Sequence, residues 1–203
     1  MTIEIETRQL LQKLTTDPHL HLRWLNTLSY LENSGARKIA RYEHPTLVKS
    51  EMLKHAAEEF RHAYHLKKQM EKIGVILTDY SLANILGGYK TLQFLNKLEL
   101  AVCKILKYDH KLNKFSLKEA AYLLVTYAIE VRASYLYPCY QSVLTQMCAP
   151  ISVRFIIAEE EQHLAEMNSQ LAKLFPDNCL QARVLEIEAK LYCELLEEIK
   201  IVK

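Results

Sequence analysis

Glu59-Phe60-Arg61-His62 and Glu160-Glu161-Gln162-His163 repeat one pattern, a glutamate with a histidine three residues on. About thirty residues before each stands a further glutamate, Glu32 before the first and Glu130 before the second. In a helix, residues three apart sit one turn apart on the same face, so a carboxylate and an imidazole can reach one cation. Four glutamates and two histidines are the ligand set of a two-metal carboxylate site inside a four-helix bundle. Mixed carboxylate and imidazole donors suit iron or manganese and lack the soft thiolates that copper(I) prefers. A lone Glu-x-x-His is common in helix-rich chains and ordinarily sits on a solvated surface. Two copies with matching upstream glutamates are much harder to reach by chance. Glu58, Glu159 and Glu161 flank the motifs and read as solvated neighbours.

Helical periodicity puts each of these glutamates on an apolar stripe: Glu32 with Leu25, Leu28 and Ile39; Glu59 with Ala56, Leu66 and Met70; Glu130 with Leu123 and Tyr137; Glu160 with Ile156, Met167 and Leu171. A buried carboxylate is costly unless paired or bound to a cation, and four of them would repel one another. Two divalent cations would relieve both problems. The spacing also suits two hairpins. The midpoint of Glu32 and Glu59 falls at Pro45 and Thr46, and that of Glu130 and Glu160 at Thr145, a few residues before Ala149-Pro150. The second match is looser, by about one helical turn if its helix ends late.

These residues need long helices to position them. Few glycines and prolines and a 50% hydrophobic content fit an all-α chain. A short helix is expected over about 3–14. Asp17-Pro18 can cap and open the first bundle helix, which runs to about Tyr42, where His44-Pro45 breaks it. The second bundle helix is expected from Pro45 to about Ile73, ended by Gly74. After a loop over 75–80, Ser81 can cap a further helical stretch, broken at Gly87-Gly88 and continuing from Lys90 to Tyr108. Ser116 with Glu119 resembles a capping box opening the third bundle helix, which Pro138 kinks near its end. Ala149-Pro150 leads into the fourth, to about Leu174. Phe175-Pro176-Asp177 is a turn before a terminal helix over about 178–201. Two hairpins joined by one long crossover make the ferritin-like variant of the four-helix bundle, with its core over about 18–174 in a single domain spanning 1–203.

Composition excludes several classes. A net charge of +2 gives no electrostatic case for nucleic acid. The five cysteines form no Cys-x-x-Cys pair, which argues against a thiolate zinc or iron–sulfur site and fits free thiols in a reducing cytoplasm. The N-terminal segment lacks the basic start and apolar core of a signal peptide, and no apolar run approaches the ~20 residues of a membrane span. A soluble cytoplasmic protein is expected.

On these residues the chain resembles the ferritin-like di-iron carboxylate superfamily of bacterioferritins, rubrerythrins and related oxygenases. The resemblance covers about 22–174 through the bundle pattern, and its specific part is six residues. It implies that Glu32, Glu59 and His62 hold one side of a site for two iron ions and Glu130, Glu160 and His163 the other, with manganese or a mixed manganese and iron pair as the alternative. Glu59 and either Glu130 or Glu160 are the candidate bridges. No cysteine-pair domain follows the bundle, so reducing electrons would come from an external donor. The long connection between Glu59 and Glu130 looks more like the oxygenase and manganese-catalase branches than like storage cages.

The resemblance implies an oxidoreductase that activates dioxygen or peroxide, an oxygenase or oxidase of a small organic substrate. The alternatives are peroxide detoxification and non-catalytic ferroxidase or storage use. The terminal helix could support a homodimer. His55 adds a histidine one turn before Glu59, similar to the extra ligand of the arylamine N-oxygenases; it reads either as a further ligand or as a core histidine beside the site. His65, one step off that face, reads as a non-ligand. Tyr127, one turn before Glu130, is the candidate catalytic side chain, and its other reading is core packing; Tyr137 lies two turns after Glu130. Arg37, Arg61 and Arg132 lie near ligand positions, where one could pair with a carboxylate beside the site. Gly35, Ala36, Ala63 and Ser134 are small enough to leave room for a substrate or to let helices approach closely.

Overall fold

The computed structural model describes residues 3–44, 46–110, 114–175 and 178–201. Among these the chain forms seven helices and no strand: α1 (Ile3–Thr16), α2 (Pro18–Tyr42), α3 (Ser50–Glu71), α4 (Gly88–Tyr108), α5 (Lys114–Gln146), α6 (Arg154–Leu174) and α7 (Cys179–Ile201). None of the described helices is long and apolar enough to cross a membrane. The five cysteines are free thiols.

The first hairpin forms as its sequence dictates. The Asp17 carboxylate accepts from the backbone N–H of His19 and Leu20 at 2.8 and 3.1 Å, and Pro18 occupies the first turn of α2. α2 packs along α3, and α5 along α6; α4 lies against α5 and α7. α3 starts later than its sequence suggests. His44 Nδ1 accepts from the backbone N–H of Thr46 and Leu47, a local turn that competes with helix, and the helix opens only at Ser50. Pro45 lies outside the described residues, as do Pro176 and Asp177 of the later turn. α5 already begins at Lys114, with Ser116 inside it, and Glu119 pairs with Lys49 at 2.7 Å. Pro138 lies inside α5, which runs on to Gln146. That late end accounts for the looser mirror of Glu130 and Glu160 about Thr145.

The stretch from Ser81 is not helical. Asp79 gathers the Ser81 N–H and the Asn84 side chain into a turn. Asn26 of α2 donates to the Asp79 and Asn84 carbonyls at 2.9 and 2.8 Å, and Thr27 accepts from the Leu86 N–H. The Ser81 carbonyl accepts from the Asn84 and Ile85 N–H in a single turn, and the contacts with α2 hold the strap there instead of letting a helix continue. Gly87 then takes φ +73° before α4 opens, and a Cβ there would sit 2.6 Å from Leu195, so only glycine suits both the backbone and the space.

The apolar interior falls into two clusters. One joins α1, the start of α2, the end of α5 and the end of α7; the other joins α4, the first half of α5, and parts of α6 and α7. On α2 the first cluster reaches Leu31 and the second starts at Ile39; on α5 the second includes Ala128 and the first starts again at Ala133, with Ile129 touching both. Glu32 and Glu130 occupy the intervals. The candidate site is therefore a polar break between two apolar cores.

Within the first cluster His21 is buried and its Nε2 lies 2.6 Å from the Tyr140 hydroxyl. Burial pushes the imidazole down to about 4. The folded state therefore refuses a proton that the unfolded chain accepts near pH 6.5, and stability falls as pH drops from about 6.5 to about 4. The shift is worth about 3 kcal/mol at full effect. Urea unfolding across this range should show His21→Gln losing less stability than the wild type by roughly that amount. Parallel pH profiles for the two proteins would contradict the assignment.

Candidate metal centre

Four helices each aim one glutamate at the break: Glu32 from α2, Glu59 from α3, Glu130 from α5 and Glu160 from α6. His62 follows Glu59 by one turn and His163 follows Glu160, so each imidazole joins its own helix's carboxylate. The donor atoms fall into two groups. His55, Glu59, Glu130 and His163 form one, and Glu32, Glu59, His62 and Glu160 the other; within each group the atoms all lie within 4.8 Å of one another. Glu59 belongs to both. Its Oε1 lies 3.3 Å from His55 Nε2, 3.4 Å from His163 Nδ1 and 3.9 Å from His62 Nδ1.

All seven are buried except Glu32, whose carboxylate has surface facing a cavity. His55 is 4% exposed, with Nε2 2.9 Å from Glu130 and Nδ1 3.4 Å from the Tyr122 hydroxyl. Tyr127 lies elsewhere. It is half-buried against the cluster formed by α4, α5 and α7, and the tyrosine that reaches the carboxylates is Tyr137, whose hydroxyl donates to Glu32. His65 bonds the Ser152 carbonyl at 3.0 Å and stands outside both donor groups.

Of the glutamates next to the motifs, Glu161 is exposed, but Glu58 and Glu159 are not solvated bystanders. Glu159 of α6 accepts from His62 Nε2 of α3 at 2.9 Å, and Glu58 of α3 accepts from His163 Nε2 of α6 at 2.9 Å. Arg61 ties the two together, 2.6 Å from Glu159 and 3.5 Å from Glu58. With Nε2–H donated outward, each imidazole keeps Nδ1 as a lone pair aimed inward, and the outer carboxylate raises its basicity. The sequence did carry a signal for this: both motifs read Glu-Glu-x-x-His. Arg132 turns instead to Glu188 of α7.

The residues fit a divalent cation pair on their own chemistry. Glu59 Oε1, Glu130 Oε2, His62 Nδ1 and His163 Nδ1 are buried with no hydrogen-bond partner. An orphaned buried acceptor costs ~1–3 kcal/mol, more when charged, and here the orphans point at one another. Electrostatics tell the same story. Burial and the neighbouring carboxylates lift Glu32, Glu130 and Glu160 well above the usual carboxyl range. Burial would lift Glu59 too, but the neighbouring His55, Glu32 and His62 outweigh it and hold it low. Without cations the cluster keeps protons where metals would otherwise sit.

A cavity of about 100 Å³ opens between α2, α4 and α5, with Glu32, Glu59 and Glu130 at its end. Its walls are apolar, among them Leu28, Ile39, Phe94, Val125 and Leu136. Gly35 lines it, and a Cβ there would meet nothing within 4 Å. The other small residues serve packing: Ala36 is fully buried, the Ala63 carbonyl accepts from Ser29, and Ser134 bonds the Val131 carbonyl. Lys38 and Tyr42 of α2 both donate to Glu99 of α4 at the more exposed end.

No protein-family model, no curated protein and no solved structure matches this chain.

Proposed function

We propose that the chain is a ferritin-like dinuclear-metal oxidoreductase. It would hold two iron ions, activate dioxygen or peroxide, and act as an oxygenase or oxidase on a small organic substrate. One observation carries this reading: two donor groups share Glu59 and leave buried lone pairs unpaired at the end of an apolar cavity. Glu32, His62 and Glu160 would hold one ion, Glu130, His163 and His55 the other, and Glu59 would serve both.

Bound iron would supply two-electron chemistry with oxygen. As an oxygenase, one oxygen atom enters a substrate C–H bond and the other leaves as water, using two electrons and two protons from an external donor. The chain's residues set the conditions. Glu58 and Glu159 fix the imidazoles, so no reorientation is needed when the ions bind. The Tyr137 hydroxyl holds a proton against Glu32. The apolar walls and the Lys38–Glu99–Tyr42 contact limit water at the carboxylates, which strengthens every charge interaction there. A storage or ferroxidase centre has no need of an apolar chamber against its ligands, so the cavity favours an organic substrate.

Anaerobic ferrous titration of metal-free protein should saturate near two iron per chain, and air should then raise a new near-ultraviolet absorption. Two manganese instead, with rapid peroxide disproportionation lacking any donor, would transfer the reading to peroxide detoxification. Well-folded protein that takes up no stoichiometric metal would end the dinuclear reading.

A further inference from the structure

The cavity's apolar lining explains where a substrate body could rest, but not what selects it. A second recess of about 180 Å³ abuts the first and shares Lys38 and Leu95 with it. Its character is opposite. Arg37 and Arg41 line it with Tyr30, Ser34, Thr91 and Asn96. Both arginines are exposed, and neither guanidinium has a hydrogen bond or salt bridge among the described residues, although Arg41 stands close enough to Glu99 to help hold that carboxyl low. They stand four apart on α2, a spacing at which like charges repel. Other charges near the cavity are neutralised. Lys38 is spent on Glu99, and Arg132 on Glu188.

From this juxtaposition we infer that the cavity and the recess together bind a small anionic amphiphile, its apolar body against the carboxylate cluster and its carboxylate head on Arg37 and Arg41. The inference rests on the function proposed above and adds the substrate class. Size supports it. A cavity of ~150 Å³ lined by aliphatic and aromatic side chains takes up benzene, so one of about 100 Å³ suits a slimmer body such as a short alkyl chain. Charge supports it as well. An anionic head at the inner end would face Glu32, Glu59 and Glu130, whereas at the recess it meets two exposed guanidiniums able to take it in bidentate geometry. The molecule has one way to lie. Lys38 stands where body and head join, and its pairing with Glu99 and that of Tyr42 with Glu99 bridge α2 to α4.

Gly35 makes the inference testable without touching a carboxylate or imidazole. Leucine there projects into open space, and leucine is the better helix former, so the variant should fold and hold or raise its melting temperature. Binding of hexanoate and 1-hexanol is measured by ligand-observed NMR on metal-free and iron-loaded protein. Hexanoate should bind at least tenfold more tightly than hexanol. Arg37→Glu/Arg41→Glu should remove that preference and leave hexanol binding unchanged. Gly35→Leu should weaken both ligands at least tenfold, and hexanoate should perturb the iron absorption in wild type but not in Gly35→Leu.

Equal binding of the two ligands overturns the inference, as does hexanoate binding indifferent to either variant. Slower electron delivery in the arginine variant with unchanged hexanoate binding also overturns it, and would make the recess a docking surface for an acidic protein. Two iron per chain without hexanoate preference sinks the substrate class alone. Hexanoate preference in protein that takes up no iron sinks the dinuclear centre alone.

Discussion

Glu59→Ala should lose both ions of the proposed centre, whereas Glu130→Ala should lose chiefly one. This is the largest functional effect the site geometry supports, and the asymmetry follows from position. Among the described residues Glu59 is the side chain common to both donor groups, with Oε1 within 3.3–3.9 Å of His55, His62 and His163. Glu130 belongs to the His55 and His163 group alone. Elemental analysis after iron loading should give near zero iron per chain for Glu59→Ala and near one for Glu130→Ala, with both proteins retaining wild-type helical circular dichroism.

Outer carboxylates give the scale. Glu58→Gln leaves every donor in place and only loosens His163, so its loss should stay within the 10–100-fold in metal affinity typical of such partners. Turnover in Glu59→Ala should fall further than that. Two iron per chain in Glu59→Ala would show that the ions are held elsewhere.

What could be read from the sequence is what helix geometry makes local. The i, i+3 spacing of each Glu and His, the apolar stripe carrying each glutamate, and the mirror of Glu32 and Glu59 about their turn all follow from 3.6 residues per turn. The all-helical architecture and the bounds of α2 and α4 follow from Asp17-Pro18, His44-Pro45 and Gly87-Gly88 for the same reason. What could not be read depends on which helices meet. Glu58 and Glu159 look like solvated neighbours because the histidine each one holds sits on the other helix, about a hundred residues away. The strap after Ser81 follows Asn26 and Thr27, far off in sequence, and Tyr137 rather than Tyr127 reaches the glutamates because α5 turns that face toward Glu32. The cavity is the product of four helices and one missing side chain, which no single stripe records.

Arg132→Leu should be strongly destabilising although it lies outside the centre. Arg132 of α5 grips Glu188 of α7 through two bonds, Nε to Oε1 at 2.9 Å and Nη2 to Oε2 at 2.7 Å, and its guanidinium stacks 4.0 Å above the Tyr192 ring. The carboxylate side chain is 2% exposed. Burial alone lifts the Glu188 carboxyl above its ordinary range, and the guanidinium is what opposes that. Removing the cation strands a buried acid with no partner, which costs about 3–5 kcal/mol. For a chain of this length each kcal/mol lowers the melting temperature by ~2–4 °C, so a fall of roughly 6–20 °C is expected in calorimetry.

The double variant Arg132→Leu/Glu188→Leu decides whether that loss reflects the value of the pair or only the expense of breaking it. Two apolar groups of similar volume need no desolvation of charge, and such replacements are often neutral or stabilising by ~1–4 kcal/mol. The double variant should therefore melt at or above the wild type while the single variant melts far below it. A double variant as unstable as the single one would mean that the bidentate bond and the Tyr192 stack themselves fasten α7 to α5. A single variant within a few degrees of wild type would mean that Glu188 finds water or another donor when Arg132 is gone.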